Sequence, residues 1–365
     1  LDGFAQLVRT SARVGSSTFS STIPGLEDIV RAATAISSDP SLPSYDFWGP
    51  SRVIPSTINE FPFWSFLFAD LHPHLIGIPF SLFFLGLLLA LFLEPAGWNE
   101  RRLRGTSLLA LLSLMLGTLA TVNLWELPTY LGLGMLAFVV SQYYRDGQIH
   151  LGWTVLFGAL YLAGAFLAYW PFFSTYQNIG ASGIGLVRAG DALGIWLLIW
   201  GLFLFVLTSW IFVAASSPTG PRPTAGGQGV RPTGVERMLS MGLRRFDRLP
   251  RVLYLQRLIV KRSTLAYELA LWIVPMALLA AGVALWLDRA VLAICLPLLG
   301  LAFLLLWRRG RGADAGSIFV ALLGATGLAI LAGTQVVYLK DFLQGGDWYR
   351  MNTLFKFFSQ VWVIW

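Results

Sequence analysis

The feature that most constrains this chain is the recurrence of apolar runs, nearly free of charge, close to one bilayer in length. About 20 apolar residues cross a membrane as an α-helix, and nine runs approach that figure: 75–93, 107–122, 124–144, 151–169, 192–214, 266–287, 290–307, 316–337 and 354 onward. A transmembrane barrel would show short alternating segments. Hydrocarbon offers no partner for open backbone, so each run is predicted to be helical. The expected fold is all-α: a polytopic transmembrane helical bundle of about nine spans.

Composition points the same way. Charged residues make up only 12% of the 365, and 56% are hydrophobic, whereas soluble domains carry roughly 25% charged residues. That is too little charge to clothe a water-facing surface, which excludes a soluble globular enzyme. A disulfide scaffold is excluded as well, because Cys295 is the chain's one cysteine and cannot pair within it. The net charge of +7 has a simpler use than nucleic-acid binding, since basic residues in membrane loops set topology. No nucleic-acid partner is expected.

The direction of the spans follows from those basic residues. Alternate connections hold seventeen of them: Arg101, Arg102, Arg104, Arg145, ten between residues 215 and 263, and Arg308, Arg309 and Arg311. The opposite set holds Arg188, Arg289, Lys340 and Arg350, with four more before the first span. The richer set is predicted to be cytoplasmic. Glu60, Asp70, His72, His74, Glu126, Asp341, Asp347 and Arg350 then all fall on the outer side of a multi-pass plasma-membrane protein.

This reading divides the chain into four parts. Residues 1–74 form an extracytoplasmic segment with a motif-bearing loop, and 75–214 hold spans one to five. Residues 215–263 are a basic cytoplasmic segment: a Pro-, Gly- and Ser-rich linker, then LRRFDRLPRVLYLQRLIVKR, whose mixed arginines and apolar residues suit a helix on the inner leaflet. Residues 264–365 hold spans six to nine, the last cut at Trp365. The chain opens on Leu1 without an export signal and reads as an interior piece of a longer polypeptide.

Three outer stretches carry the candidate chemistry. The first, NEFPFWSFLFADLHPH (59–74), packs two carboxylates and two histidines into the mouth of the first span. Pro73 biases His72 toward extended backbone. If Asp70 to His74 is extended, Asp70, His72 and His74 share one side and form a pocket for a divalent cation or a phosphate. Alternatively the two imidazoles are interfacial side chains bonded to loop carbonyls, and the neighbouring aromatics form an interfacial belt. The second stretch, NLWELPTY (123–130), sets Glu126 among apolar neighbours with no adjacent base, either as a functional intramembrane carboxylate or as a structural one. The third, YLKDF…GGDWYRMNTLFK (338–356), supplies Asp341, Asp347, Arg350 and Lys356. An arginine there can grip phosphate bidentately, and a lysine can support it as a point charge.

These motifs carry a resemblance. SRVIPSTINEFPFWSFLFADLHPHLIGIPF, NLWELPTY, and YLKDF followed by RMNTLFKFFSQVW resemble, in order and from about Tyr45 onward, the multispanning "YYY" family, a domain of unknown function similar to the GT-C class of lipid-linked sugar transferases. The resemblance implies a GT-C-like bundle with patterned positions at Glu60, Asp70, His72, His74, Glu126, Asp341 and Arg350. The family pattern carries Asp where Glu126 stands, an acidic residue near Gln335, and a front portion with a tyrosine run and further spans, which this chain lacks.

The expected activity is sugar transfer from a polyprenyl-phosphate carrier to an acceptor on the outer face. It needs a carboxylate to take the acceptor proton and cations to hold the departing phosphate. The carboxylate candidates are Asp70, Glu126, Glu60 and Asp341, and the phosphate candidates are Arg350, His72, His74 and Lys356. Asp70, His72, Glu126 and Arg350 are expected to converge on one outward-open pocket. The competing expectation is a non-catalytic membrane subunit packing against protein partners.

Overall fold

In the computed structural model the described residues are 47–69, 71–93, 102–177, 182–216, 264–307, 314–341 and 346–365. Asp70, the basic segment 217–263 and the arginines at 101, 308, 309 and 311 lie outside them, so the linker, its proposed surface helix and most of the basic loops do too.

The short helix α1 (Pro62–Phe68) is followed by a set of long ones: α2 (Pro73–Leu93), α3 (Arg102–Val122), α4 (Leu127–Asp146), α5 (Leu151–Ala168) and α6 (Leu193–Ser216). Next come α7 (Thr264–Trp286), α8 (Ala290–Leu306), α9 (Ala315–Gly333) and α10 (Met351–Ile364). A 3-10 turn at Leu124–Glu126 leads into α4, so the two form one stretch, Leu124–Asp146. Among the described residues six helices are long and apolar enough to cross a membrane, namely α2 to α6 and α9. Two further apolar stretches are shorter, Trp272–Trp286 within α7 and α8 at 17 residues, and α10 has 14 residues. The protein is therefore a polytopic helical membrane protein.

Side-chain contacts show that the helices alternate in direction. Arg145 at the end of α4 donates to the Leu91 carbonyl near the end of α2. At that same end Phe92 meets Phe319 of α9 at 6.0 Å, and Tyr143 meets Trp307, just past α8, at 5.4 Å. The opposite end gathers the start of α2, the 123–130 turn, the start of α6, the end of α9 and the start of α10. This second end is called the site end below.

The chain is not all helix. Val337–Lys340 pairs antiparallel with Gly183–Leu186 in a two-stranded sheet, β2 with β1, in the register Gly183 to Lys340 and Leu186 to Val337. Span eight was expected to run to residue 337, but α9 stops at Gly333. The reason is local. Gln335 turns into a polar cluster described below, and the Val-Val-Tyr run after it suits a strand better than a helix. Gly185 permits the pairing, since a Cβ there would stand 2.4 Å from the Tyr338 ring.

Packing between α3 and α5 is close enough to need glycine as well. A Cβ on Gly117 would lie 2.7 Å from the Ala165 backbone oxygen and 2.5 Å from the Tyr169 ring. Because a backbone atom cannot swing away, Gly117→Ala should destabilise the bundle by about 1–3 kcal/mol. Gly86→Ala, on α2 with nothing within 4 Å, should be neutral. Thermal unfolding of the two variants in the same detergent checks this; equal midpoints would contradict the assigned α3–α5 packing.

Candidate functional site

Two polar clusters occupy the site end. The first is built on α1 and the start of α2. Residues 47–61 are tied into a compact loop by Asn59, whose backbone N–H donates to the Ser51 carbonyl at 2.8 Å and whose Oδ1 accepts from the Ile54 N–H at 2.8 Å. That loop delivers Glu60 into the protein at 8% exposure, opposite His74 at 6%. His74 Nε2 lies 3.1 Å from Glu60 Oε2. Ser65 of α1 closes the triangle, its Oγ 3.3 Å from both atoms. Carboxylate and hydroxyl thus meet the same imidazole nitrogen. A nucleophilic relay would need them on opposite nitrogens, so this is not a serine triad. His74 Nδ1 is buried without a hydrogen-bond partner.

The position of His74 corrects the sequence reading. Extended backbone across 70–74 was expected, yet α2 starts at Pro73. The His72 carbonyl accepts from the N–H of Leu75 and of Ile76, at 3.0 and 3.1 Å. Proline with its fixed φ is well suited to the first helical position, so its effect on His72 ends one residue later. His74 turns inward in the first turn of α2, and His72 stays exposed with its ring 5.5 Å from that of His74. Among the described residues no three His, Cys, Asp or Glu side chains group closely enough to hold a metal ion. Asp70 lies outside those residues.

Glu126 extends this first cluster. It ends the 3-10 turn before α4, is 4% exposed, and its Oε1 accepts from Asn123 Nδ2 at 3.2 Å. Its Oε2 is buried with no partner. The half-buried Lys356 of α10 stands close enough to Glu60 and Glu126 for its ammonium to feel both carboxylates. Arg52 is also attracted by Glu60. A small cavity of about 10 Å³ is lined by Ser65, His74, Ser81, Glu126, Tyr130 and Gln360 among others. That is roughly the space of one water. Gln360 ties α10 to the turn, accepting from Thr129 Oγ1 and donating to the Trp125 carbonyl at 2.9 Å.

Glu60, His74, Glu126 and Lys356 are thus brought together, although they come from four separate elements.

The second cluster takes Arg350. Its Nη2 donates to Asp191 Oδ2 at 3.1 Å and to the Thr334 carbonyl at 3.2 Å, and its Nη1 to the Ala189 carbonyl at 3.1 Å. Gln335 Nε2 donates to the same Asp191 oxygen at 2.6 Å, while Gln335 Oε1 accepts from the Asp191 N–H at 3.0 Å. Arg289 caps the Gln335, Val187 and Arg188 carbonyls. Asp341 accepts from Asn352 at 2.8 Å and is buried. Both terminal nitrogens of Arg350 are therefore committed to the protein, so this arginine clamps the α5–α6 connection onto the end of α9 rather than standing with the Glu60 cluster. Asp191 escaped the sequence reading. It is an acid at the head of a span with no basic neighbour within two residues, the same signal that singled out Glu126.

One comparison bears on identity. Residues 1–365 match an uncharacterised membrane protein family, DUF2298. The chain belongs to that family. No curated protein and no solved structure matches it. Members of DUF2298 are described only as membrane proteins, so the chemistry rests on the residues.

Removing one partner of a buried ion pair leaves the other charge uncompensated, at a cost of about 3–5 kcal/mol. Arg350 and Asp191 are 7% and 4% exposed in their side chains. Arg350→Ala should therefore lower stability by that amount. Arg350→Lys should recover little, because one ammonium cannot span Asp191 and the two carbonyls. Unfolding in detergent tests the pair; wild-type stability of Arg350→Lys would refute the clamp.

Proposed function

We propose that this DUF2298 chain is the membrane-embedded part of a GT-C-like transferase. It moves a sugar from a polyprenyl-phosphate carrier to an acceptor on the outer face of the plasma membrane. The observation that carries the reading is Glu126 Oε2, a buried carboxylate oxygen without a partner, in a cluster with a second carboxylate, an imidazole and Lys356. Proteins rarely leave such an oxygen unmatched, and an acceptor hydroxyl would match it. The end of the bundle also fits, being opposite Arg145 and the connections to the basic loops. In this reading α7, α8 and α10 complete nine crossings.

The step balances on these groups. Glu126 takes the proton of the acceptor hydroxyl, and the acceptor oxygen forms the new bond to the anomeric carbon. The bond from that carbon to the phosphate oxygen breaks, and its electron pair leaves with the polyprenyl phosphate. Lys356 offsets the charge on the departing phosphate, with His74 beside it, held in orientation by Glu60. Arg350 acts at one remove by fixing the start of α10, which carries Lys356. Asp341 is a further carboxylate at the same end.

A second reading, a non-catalytic subunit of a larger membrane complex, is favoured by the size of the cavity, which takes no more than a water. The two readings separate on one variant. In nanodiscs supplied with a panel of polyprenyl-phosphate sugars, Glu126→Gln should lower transfer at least 10²-fold at an unchanged melting temperature. Absence of transfer by the wild-type chain across the panel, with Glu126→Gln still assembling normally with its membrane partners, would establish the subunit reading.

A further inference from the structure

Helix α1 is built inside out for a protein in water. Its inward face carries Ser65, whose hydroxyl joins Glu60 and His74, and Trp64, whose indole N–H donates to the Phe47 carbonyl at 2.8 Å. Its outward face carries Phe63, Phe66 and Leu67, exposed by 72%, 59% and 54%. These occupy positions i, i+3 and i+4 and so form a single stripe. Leu71, just beyond the helix, is 80% exposed. A contiguous apolar stripe of this kind on a soluble surface would be a liability.

The surroundings say what covers it. Ser65 sits on the first turn of α2, the first membrane-length helix among the described residues, so α1 is pinned at the end of that helix. Behind α1, Trp48 packs on Trp64 and Phe68 at 5.2 and 5.3 Å, is 47% exposed, and carries the Arg52 guanidinium 5.2 Å from its ring centroid. A half-exposed tryptophan paired with arginine beside an apolar stripe is the arrangement of a headgroup-level anchor.

We propose that α1 is an interfacial helix, seated with Phe63, Phe66 and Leu67 among the acyl chains of the leaflet at the site end. On that side the Glu60–His74 pair is then covered by lipid rather than by water or another protein. This inference does not depend on the transferase reading, because it concerns where α1 lies and not what the cluster does.

Site-directed spin labelling tests it on the full chain in nanodiscs of phosphatidylcholine and phosphatidylglycerol. The native Cys295 is fully buried, so Phe66→Cys gives one reactive position. Asp347→Cys, at an exposed residue of the same end, serves as the aqueous reference. The Phe66→Cys label should be reached by oxygen and shielded from a water-soluble nickel complex on the order of tenfold better than the reference, as expected about 5–10 Å into the headgroup–acyl boundary. Nickel access equal to the reference would place α1 in water and overturn the proposal. A label reached by neither reagent would mean that protein covers the stripe, and would overturn it equally. Leu67→Cys on the same stripe gives the same reading if Phe66→Cys does not fold.

Discussion

Everything at the site end follows from one constraint: within hydrocarbon there is no water to complete a hydrogen bond, so each polar group must find its partner inside the protein. The Arg350 cluster shows how far this goes. One guanidinium, one carboxylate and one carboxamide join the connection before α6, the end of α9 and the head of α10, and Arg289 takes up the carbonyls that remain. The short β1–β2 sheet serves the same need, pairing backbone groups of two connections that would otherwise lie open at the membrane boundary. The bundle is apolar over most of its length so that its polar groups can be concentrated in these few places.

Much of the fold was legible in the sequence because span length and low charge are properties of whole segments and tolerate local error. The boundaries of α2, α3, α4, α5 and α6 fall within a few residues of the expected runs. What was not legible lies where an apolar run changes backbone type without changing hydropathy. Val336, Val337 and Tyr338 read as the end of a span on hydropathy alone, and only their pairing partner at 183–186 makes them a strand. That partner is some 150 residues away, and no local pattern announces it.

The candidate site divides along the same line. Glu126 could be read from its neighbours, since a carboxylate among apolar residues with no local base must be used or bonded. The Glu60–His74 pair was a different matter: both residues were candidates, but their contact depends on the helix start at Pro73 and on the α1 turn between them. Arg350 stood out as a phosphate ligand because its fork-shaped guanidinium suits bidentate phosphate capture, whereas the acid it pairs with, Asp191, comes from another connection. Sequence proximity suggests which groups are costly to bury. It does not say who relieves the cost.

That distinction separates the roles of the two clusters. Around Arg350, both terminal guanidinium nitrogens and the Asp191 carboxylate are bonded to protein groups, so a ligand would have to displace those bonds, although Arg350 Nε is buried without a partner. Around Glu126 the matching is incomplete: one carboxylate oxygen and the second imidazole nitrogen of His74 are buried without partners, and Lys356 is within electrostatic reach of both carboxylates. A cluster kept only for stability would gain from filling those positions with apolar side chains of similar shape, which buried ion pairs commonly tolerate. Leaving them polar and unmatched weakens the fold, and in the proposed reading it leaves a place for an incoming hydroxyl, water or proton. In the transferase reading proposed above, the chemistry is to be sought at Glu126 and Lys356, with Arg350 and Asp191 holding the frame in which they meet.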